Sequence, residues 1–595
     1  MQVYRAPLDD VRFVLGEVLG YETTVATLSG YEEATLDAAM EILAEAARLC
    51  EGVLLPLNRT GDEEGCVLEN GEVRTPAGFR DAYRELVVGG WLGLDGDPEH
   101  GGAGLPRVMW TAFDEMLCAS NVSLETYAAL THSAGKLLLR HGSGEQKDRY
   151  AGKLVSGEWA GTMCLTEPHA GTDLGMIATR AEAAGDGAYR VTGTKIFVTA
   201  GEHDLTESIV HLVLAKLPDA PAGVKGISLF IVPKHRPGPG GGPAERNAVV
   251  CGSIEHKMGL GGSATCTLHF EGAHAELVGE PHTGVASMFT MMNASRIDVG
   301  IQGIGIGEIA YQSAAAYARE RLQGRSPAGP QAPDLPADPI IVHPDVRRAL
   351  LRARALTEGG RALALWLSVE LDVAERHPDE RRRQEADDLV ALLTPVVKAA
   401  CTDNGVEAAN LALGVFGGHG YIRETGVEQL ARDGRIAQIY EGTNGIQALD
   451  LVRRKLGLHE GRLPRRFFDR VEGFCEEHGR DAELADFVGP LADAVRRLRR
   501  TTEWLVERGA ADAEELAAAA TDYLRLFALV TFAYLWARTV RACLDPGQPA
   551  SPELREAKLA TARFYMTRVL PEAVALEQVI TAGKGPLMAL PAEAF

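Results

Sequence analysis

Three short stretches carry side chains whose types and spacing suit chemistry. The first is QIYEGTNGIQ (438–447), where one carboxylate, Glu441, lies between Tyr440 and Gly442. Thr443, Asn444 and Gly445 follow, and a helical pattern then begins with Ile446, Leu449, Leu451 and Val452. An acid at such a place has two readings. It complements the N-terminal dipole of the coming helix, which is the commoner case, or it is a base at the mouth of a pocket. The second stretch, TMCLTEPHAGTDLG (162–175), mixes small, hydroxyl-bearing and glycine positions in a turn-rich run. Hydroxyls and exposed backbone N–H groups in such a loop can hold a polar planar ring or a phosphate. A plain polar β-turn is the alternative. The third, GTKIFVT (193–199), follows after a strand-like interval, and the two-residue period would set Phe197 and Thr199 on one face.

The chain that must position these groups has 595 residues, too many for one ordinary core, and predicts three or four domains. A hydrophobic content of 46% fits a soluble globular protein and argues against disorder. The net charge of -22 predicts repulsion from nucleic acid and anionic lipid, although a local basic pocket can still take an anionic ligand. Nine cysteines, none spaced C-x-x-C, fit reduced thiols in a cytoplasm better than a disulfide scaffold. No histidine and cysteine cluster has zinc-ligand spacing, so no metal is expected. The N-terminus, MQVYRAPLDDVRFVLGE, carries acids early and lacks a long apolar core, unlike a signal peptide. The apolar run LFALVTFAYLWA (526–537) is bounded by Arg525 and Arg538. It is shorter than the roughly 20 residues that span a bilayer, so it reads as a buried helix and no transmembrane segment is expected.

The texture changes along the chain. From about 35 to 158 it is helical, as in DAAMEILAEAARLC (37–50) and MWTAFDEMLCAS (109–120), around a glycine-rich loop at 96–106. From Gly161 to about Glu280 it turns to short β-rich runs such as YRVTGTKIFVT (189–199) and GISLFIVPK (226–234), which predict a compact antiparallel β domain. Helical periodicity returns near Val285, and the proline-free run 285–324 predicts one long helix. PAGPQAPDLPADP (327–339) reads as a loop or disordered insert. Helices over 343–376 and 385–416, a break at FGGHGY (416–421), a basic joint at 457–466 and a last helical region at 467–595 complete the order. The glycines of GIQGIGIG (300–307) lie inside a helical pattern without a preceding strand, so close helix packing explains them better than a dinucleotide loop. GPGGG (238–242) lacks a following Lys-Ser/Thr and reads as a surface turn rather than a phosphate-binding loop.

Four motifs, taken in order, resemble those of the acyl-CoA dehydrogenases. CLTEPHAGTD (164–173) is similar to the family's C-L-T-E-P-x-A-G-[ST]-D signature. GTKIFVT resembles its second flavin loop, GGHGY (417–421) its G-G-x-G-Y turn, and QIYEGTNGIQ its base-bearing segment. The resemblance covers about residues 35–455. APLDDVRFVL (6–15) and the region ending GPLMALPAEAF (585–595) resemble the longer bacterial branch that includes 3-methylmercaptopropionyl-CoA dehydrogenase. The implied fold is α+β. It comprises an N-terminal extension (1–35), an N-terminal helical domain (36–159), a central antiparallel β domain (160–281), a C-terminal four-helix bundle (282–457) and an appended helical domain (467–595).

The resemblance also implies FAD as cofactor and an acyl-CoA as substrate. Met163, Leu165 and Thr166 would line the flavin ring, with Thr166 and Thr199 on its polar edge and Phe197 and Val198 in the same loop. Phe197 stands where many members carry Trp. Thr172 would lie near the pyrophosphate and the thioester. Arg321 and Gln323 in RLQGR (321–325) are similar to the family's R-x-Q-F-G-[KR], without its Phe, and would reach the FAD of a neighbouring subunit. GVFGG (414–418) is similar to Q-[IVL]-x-G-G, with Gly414 at the Gln position and Gly417 and Gly418 retained. Both matches imply a homodimer or a multiple of one. Arg296 matches the arginine beneath the catalytic carboxylate, and Asn293 and Ser295 match positions near the pantetheine. Some relatives carry the base at the Ser295 position; serine cannot serve, which leaves Glu441 as the candidate, flanked by Tyr440 and Gly442 on the substrate side. Thr443 and Asn444 would approach FAD. The implied activity is α-proton abstraction with β-hydride transfer, giving a trans-2-enoyl-CoA and passing electrons to electron-transfer flavoprotein in the cytoplasm. An acyl-CoA oxidase on the same scaffold and a non-catalytic acyl-CoA-binding partner are the alternatives. The acyl group, 3-(methylthio)propanoyl or fatty, does not follow from the motifs; Tyr127 and Leu130 in LETYAALTHSAG (124–135) are candidate pocket walls.

Overall fold

The β-rich texture after Gly161 becomes one seven-stranded sheet in the computed structural model, which describes residues 2–595 apart from 186, 239, 240, 546, 548 and 549. Two residues of the expected 238–242 turn, 239 and 240, lie outside the described set. The chain forms two compact units, one of residues 48–105 and 120–298, the other of 1–47, 106–119 and 299–595.

In the first unit the long strand Thr265–Val278 pairs antiparallel with Val249–Ile254, Ala188–Thr199 and Ile227–Pro233. Ile209–Lys216 pairs antiparallel with Ile227–Pro233. These two strands are buried along nearly their whole length, which is why IVHLVLA and ISLFIVP read as continuous apolar runs and not as alternating ones. The sheet is not purely antiparallel, contrary to expectation. Ala160–Cys164, the strand that leads into CLTEPHAGTD, pairs parallel with Ile209–Lys216. The residues between them include the 180–199 hairpin, long enough for the crossover that parallel pairing requires. Trp159, Leu212, Leu229, Ile231, Met288 and Met291 meet in one apolar cluster.

The second unit is built on long helices. Gly284–Glu320 is one uninterrupted helix whose later part belongs here, beside Pro344–Arg376 and Glu380–Phe416. The glycines of GIQGIGIG are contact points: a Cβ at Gly303 would sit 2.3 Å from the carbonyl oxygen of Cys401, and one at Gly305 would sit 2.6 Å from Cys118 Cβ. Only a hydrogen lets the backbones approach so closely. The Ala513–Leu544 helix packs on Glu380–Phe416, Pro344–Arg376 and Asn444–Asp450. Two helices, Glu380–Tyr421 and Ala513–Leu544, are long and apolar enough to cross a membrane, but 78% and 67% of their apolar windows are buried inside the protein, as in core helices.

The first residues are fastened to the bundle. Arg5 N–H donates to Gln312 Oε1 at 2.8 Å, and Gln312 Nε2 donates back to the Arg5 carbonyl at 2.8 Å. Asp10 enters a buried ionic network with Arg361, Lys558, Glu115, Glu308 and Glu358. The proline-rich 327–339 segment is an ordered loop. The buried Asp338 carboxylate accepts from the N–H groups of Ser326 (2.9 Å), Gln331 (3.0 Å) and Ala332 (2.7 Å) and from Arg325 (3.2 Å), and these bonds hold its carboxyl down to about 2.

Candidate active site

Glu441 is half-buried in a tight turn between the single-turn helix Ile436–Gln438 and the helix Asn444–Asp450. Gly442 takes a φ of +67°, which a residue with a Cβ adopts only at a cost of about 1–2 kcal/mol. Its carbonyl accepts from Gln447 Nε2 at 2.9 Å, and the Thr443 hydroxyl caps the next helix by accepting from Ile446 N–H. Tyr440 donates its hydroxyl to Gln302 Oε1.

Beneath this turn lies a polar cluster that the motifs did not reveal. Lys398, fully buried in the middle of the Glu380–Phe416 helix, donates to the Ala437 carbonyl at 2.7 Å and to Asn444 Oδ1 at 2.9 Å. Asp403, little more than one turn further along, accepts from Gln438 Nε2 at 2.6 Å and from Asn444 Nδ2 at 2.8 Å. The two side chains thus grip the chain on both sides of Glu441. Asn444 also donates to Thr402 Oγ1 and to the Ala399 carbonyl. Its side-chain amide is therefore committed to the bundle interior. The signal that could have found Lys398 is a lone lysine in the apolar run TPVVKAAC (394–401).

The two loops of the β-rich unit are brought together. Ile196 N–H donates to the Thr166 carbonyl at 2.9 Å, so GTKIFVT lies directly beside CLTEPHAGTD. The pairing of Ala188–Thr199 with Thr265–Val278 slips by one residue between Val198 and Lys195. Phe197 occupies this bulge with a φ of +55°, and its ring is 60% exposed. Thr166 and Thr199 remain partly accessible and Met163 is half-buried, while Thr172 is exposed. The side chains of Val198 and Leu165 are buried, and Leu165 belongs to the apolar cluster. Lys195 and Glu167 form a buried ion pair at 2.8 Å between the loops.

In the helix Gly284–Glu320, within the part that belongs to the β-rich unit, Arg296 is buried, lies over the Phe289 ring and donates to Asn293 Oδ1 one turn earlier. Asn293 is exposed and Ser295 half-buried. Tyr127 is fully buried. Its hydroxyl donates to the Gly262 carbonyl and accepts from Ala264 N–H, which ties it into the core, whereas Leu130 is half-buried against the apolar cluster.

Arg321 and Gln323 are exposed just after the long helix ends, and Gly414, Gly417 and Gly418 are exposed at the end of Glu380–Phe416 and in the turn that follows. Gly417 has a φ of +60°. A Cβ at Gly414 would meet nothing within 4 Å, so the protomer has room for the side chain that the family's glutamine would place there.

Known proteins agree with this layout. Family descriptions match in chain order: "Acyl-CoA dehydrogenase, N-terminal domain" over 37–158, the middle domain over 162–273, the C-terminal domain over 282–456, and "Acetyl-CoA dehydrogenase C-terminal like" over 467–591. The chain is 43% identical to a 3-methylmercaptopropionyl-CoA dehydrogenase of Ruegeria pomeroyi, over 97% of this chain and 98% of that one. Among solved structures, ACDH-11 of Caenorhabditis elegans in complex with C11-CoA superposes with a TM-score of 0.79 at 20% identity, covering 95% of this chain and 91% of that one. An acyl-CoA dehydrogenase complexed with FAD from Bacillus anthracis gives 0.74 at 19% identity, over 98% and 92%. With both flavin-loop motifs, the base-bearing turn and the appended helices all lying within the stretches these descriptions and relatives cover, the chain belongs to the acyl-CoA dehydrogenase family.

Proposed function

We propose that the protein is an FAD-dependent acyl-CoA dehydrogenase in which Glu441 removes the α-proton of an acyl thioester. The observation that carries this reading is the turn at 440–444. The Lys398 ammonium holds the Ala437 carbonyl, Gln447 holds the Gly442 carbonyl, and Asp403 and Gln302 hold the side chains of Gln438 and Tyr440, so the chain is gripped on both sides of Glu441. The α-proton is weakly acidic, so the base must be aimed and its water excluded. The Glu441 backbone N–H is the donor we assign to the thioester oxygen as negative charge develops there. Tyr440 and Gly442 flank the acyl group. In the β-rich unit, Arg296, Asn293, Ser295 and Thr172 are the residues we assign to the substrate.

The loops fit FAD. An exposed aromatic residue at Phe197, with partly accessible Thr166 in the loop after Ala160–Cys164 and Thr199 at the end of Ala188–Thr199, suits a planar heterocycle with a polar edge. When bound, FAD supplies the acceptor for the hydride that leaves the β-carbon. Met163 contributes an apolar wall, and Leu165 and Val198 contribute backbone. We assign the exposed Arg321, Gln323, Gly417 and Gly418 to the FAD of a second copy in a homodimer. Electron-transfer flavoprotein is the electron acceptor we assign, and nine free cysteines suit a reducing cytoplasm. The name of the 43% identical relative makes 3-(methylthio)propanoyl-CoA the first substrate to try.

The test is a panel of acyl-CoA thioesters, including the 3-(methylthio)propanoyl one, assayed with an artificial electron acceptor and for peroxide under air. Glu441→Gln should lower kcat by about 10²–10⁴ while leaving bound FAD in place. Unchanged turnover in that variant would remove Glu441 from its role, and stoichiometric peroxide would make the enzyme an oxidase.

A further inference from the structure

The ion pair between the two loops sits where it can act on a ligand. Lys195 is 0% exposed and Glu167 3%. The Lys195 ammonium donates to Glu167 Oε1 at 2.8 Å and to the Leu165 carbonyl at 3.0 Å. Glu167 in turn accepts from Ala178 N–H at 2.7 Å and from Thr179 N–H at 3.1 Å, closing the far end of the CLTEPHAGTD turn. As a device for stability alone such a pair is poor, because desolvating both ions offsets most of their attraction. Its second bond is the informative one. A cation on a carbonyl draws electron density toward that oxygen and makes the N–H of the same peptide group a stronger donor. Here that N–H belongs to Thr166, whose own carbonyl is held by Ile196, the neighbour of Lys195.

We propose that Lys195 and Glu167 are positioning residues for the cofactor edge: the pair fixes Thr166 against the 193–199 loop, and the Lys195 charge strengthens the Thr166 N–H toward a ligand that gains electron density on reduction. This rests on the FAD reading above. It assigns to the glutamate of one motif and the lysine of the other a shared task, tuning how readily the bound flavin is reduced.

The experiment compares wild type, Glu167→Gln and the double variant Glu167→Gln/Lys195→Met. The double variant leaves no unpaired buried charge. The apoprotein melting temperature, FAD affinity by fluorescence quenching and the midpoint potential of bound FAD are measured for each. The double variant should melt close to wild type, bind FAD at least tenfold more weakly and hold it at a lower potential. A tenfold selective loss for the reduced form corresponds to about 30 mV for a two-electron couple. Glu167→Gln keeps the ammonium on Leu165 and should keep the potential while losing affinity. A double variant with wild-type affinity and potential overturns the proposal, as does Glu167→Gln with a potential as low as the double's. Should the double variant fail to fold, Glu167→Gln decides through FAD affinity, and wild-type affinity in that variant overturns the proposal. Wild-type protein that takes up no FAD at all overturns the underlying cofactor reading instead.

Discussion

Lys398→Met tests whether the polar cluster beneath Glu441 serves catalysis or only the fold. The ammonium makes two bonds to the base-bearing turn, to the Ala437 carbonyl at 2.7 Å and to Asn444 Oδ1 at 2.9 Å. Bonds from a charged donor contribute about 1.5–3 kcal/mol each, so the gross loss is roughly 3–6 kcal/mol. Against this stands the cost of keeping an ammonium out of water, several kcal/mol, which vanishes with the charge. Methionine has nearly the same length and fills the space. The net destabilisation is therefore small, roughly 0–3 kcal/mol. Turnover has no such offset. With the grip on residue 437 released and one of the bonds to Asn444 lost, a displacement of Glu441 on the order of 1 Å costs about 100-fold, or about 2.7 kcal/mol of barrier. Steady-state kinetics with a good acyl-CoA substrate should show kcat down about 100-fold and KM nearly unchanged, with FAD content intact and only a small shift in the denaturation midpoint. A variant that keeps kcat within about threefold of wild type, or that loses activity only in step with unfolding, would refute the reasoning.

Two further outcomes follow from buried charge. Arg361→Met leaves Asp10, Glu115 and Glu308 without their shared cation and should destabilise the helical unit by about 3–5 kcal/mol at pH 7, with a smaller gap at pH 5 as the stranded carboxylates take up protons; chemical denaturation at the two pH values measures it. Asp338, its carboxyl held at about 2 against an ordinary 3.8, contributes stability to its loop that is complete above pH 3.8 and lost as pH falls through about 2. Asp338→Asn copies the protonated form at neutral pH, so trypsin should cut after Arg325 in the variant and spare the wild type.

The motifs and the change of texture at Gly161 were legible because each is local: turn residues, hydroxyls and hydrophobic period are written in consecutive positions. What was missed depends on partners far along the chain. Nothing near Lys398 says that its charge ends on Ala437, 39 residues later. The two-residue period would set Phe197 and Thr199 on one face, but it could not foresee the bulge that puts Phe197 in a left-handed conformation, because the slip is decided by the facing strand. Likewise, only the neighbouring helix shows where the side-chain amide of Asn444 is engaged. Residues 1–35 read as an extension because the ionic and backbone bonds that fasten them lie hundreds of positions away.

That fastening sets an order of events during synthesis. Arg538 donates to the carbonyl of Val18, 520 residues earlier, and Asp10 waits for both Arg361 and Lys558. A ribosome adding about 5–20 residues per second needs roughly half a minute to two minutes to cover that interval. Through it the nascent chain carries Asp10 and the apolar side chains of Val11, Phe13, Val14 and Leu15 with no finished bundle to receive them. The β-rich unit can close earlier, but the helical unit is completed only when the last helices emerge, so its opening segment waits that long for the side chains that bury it.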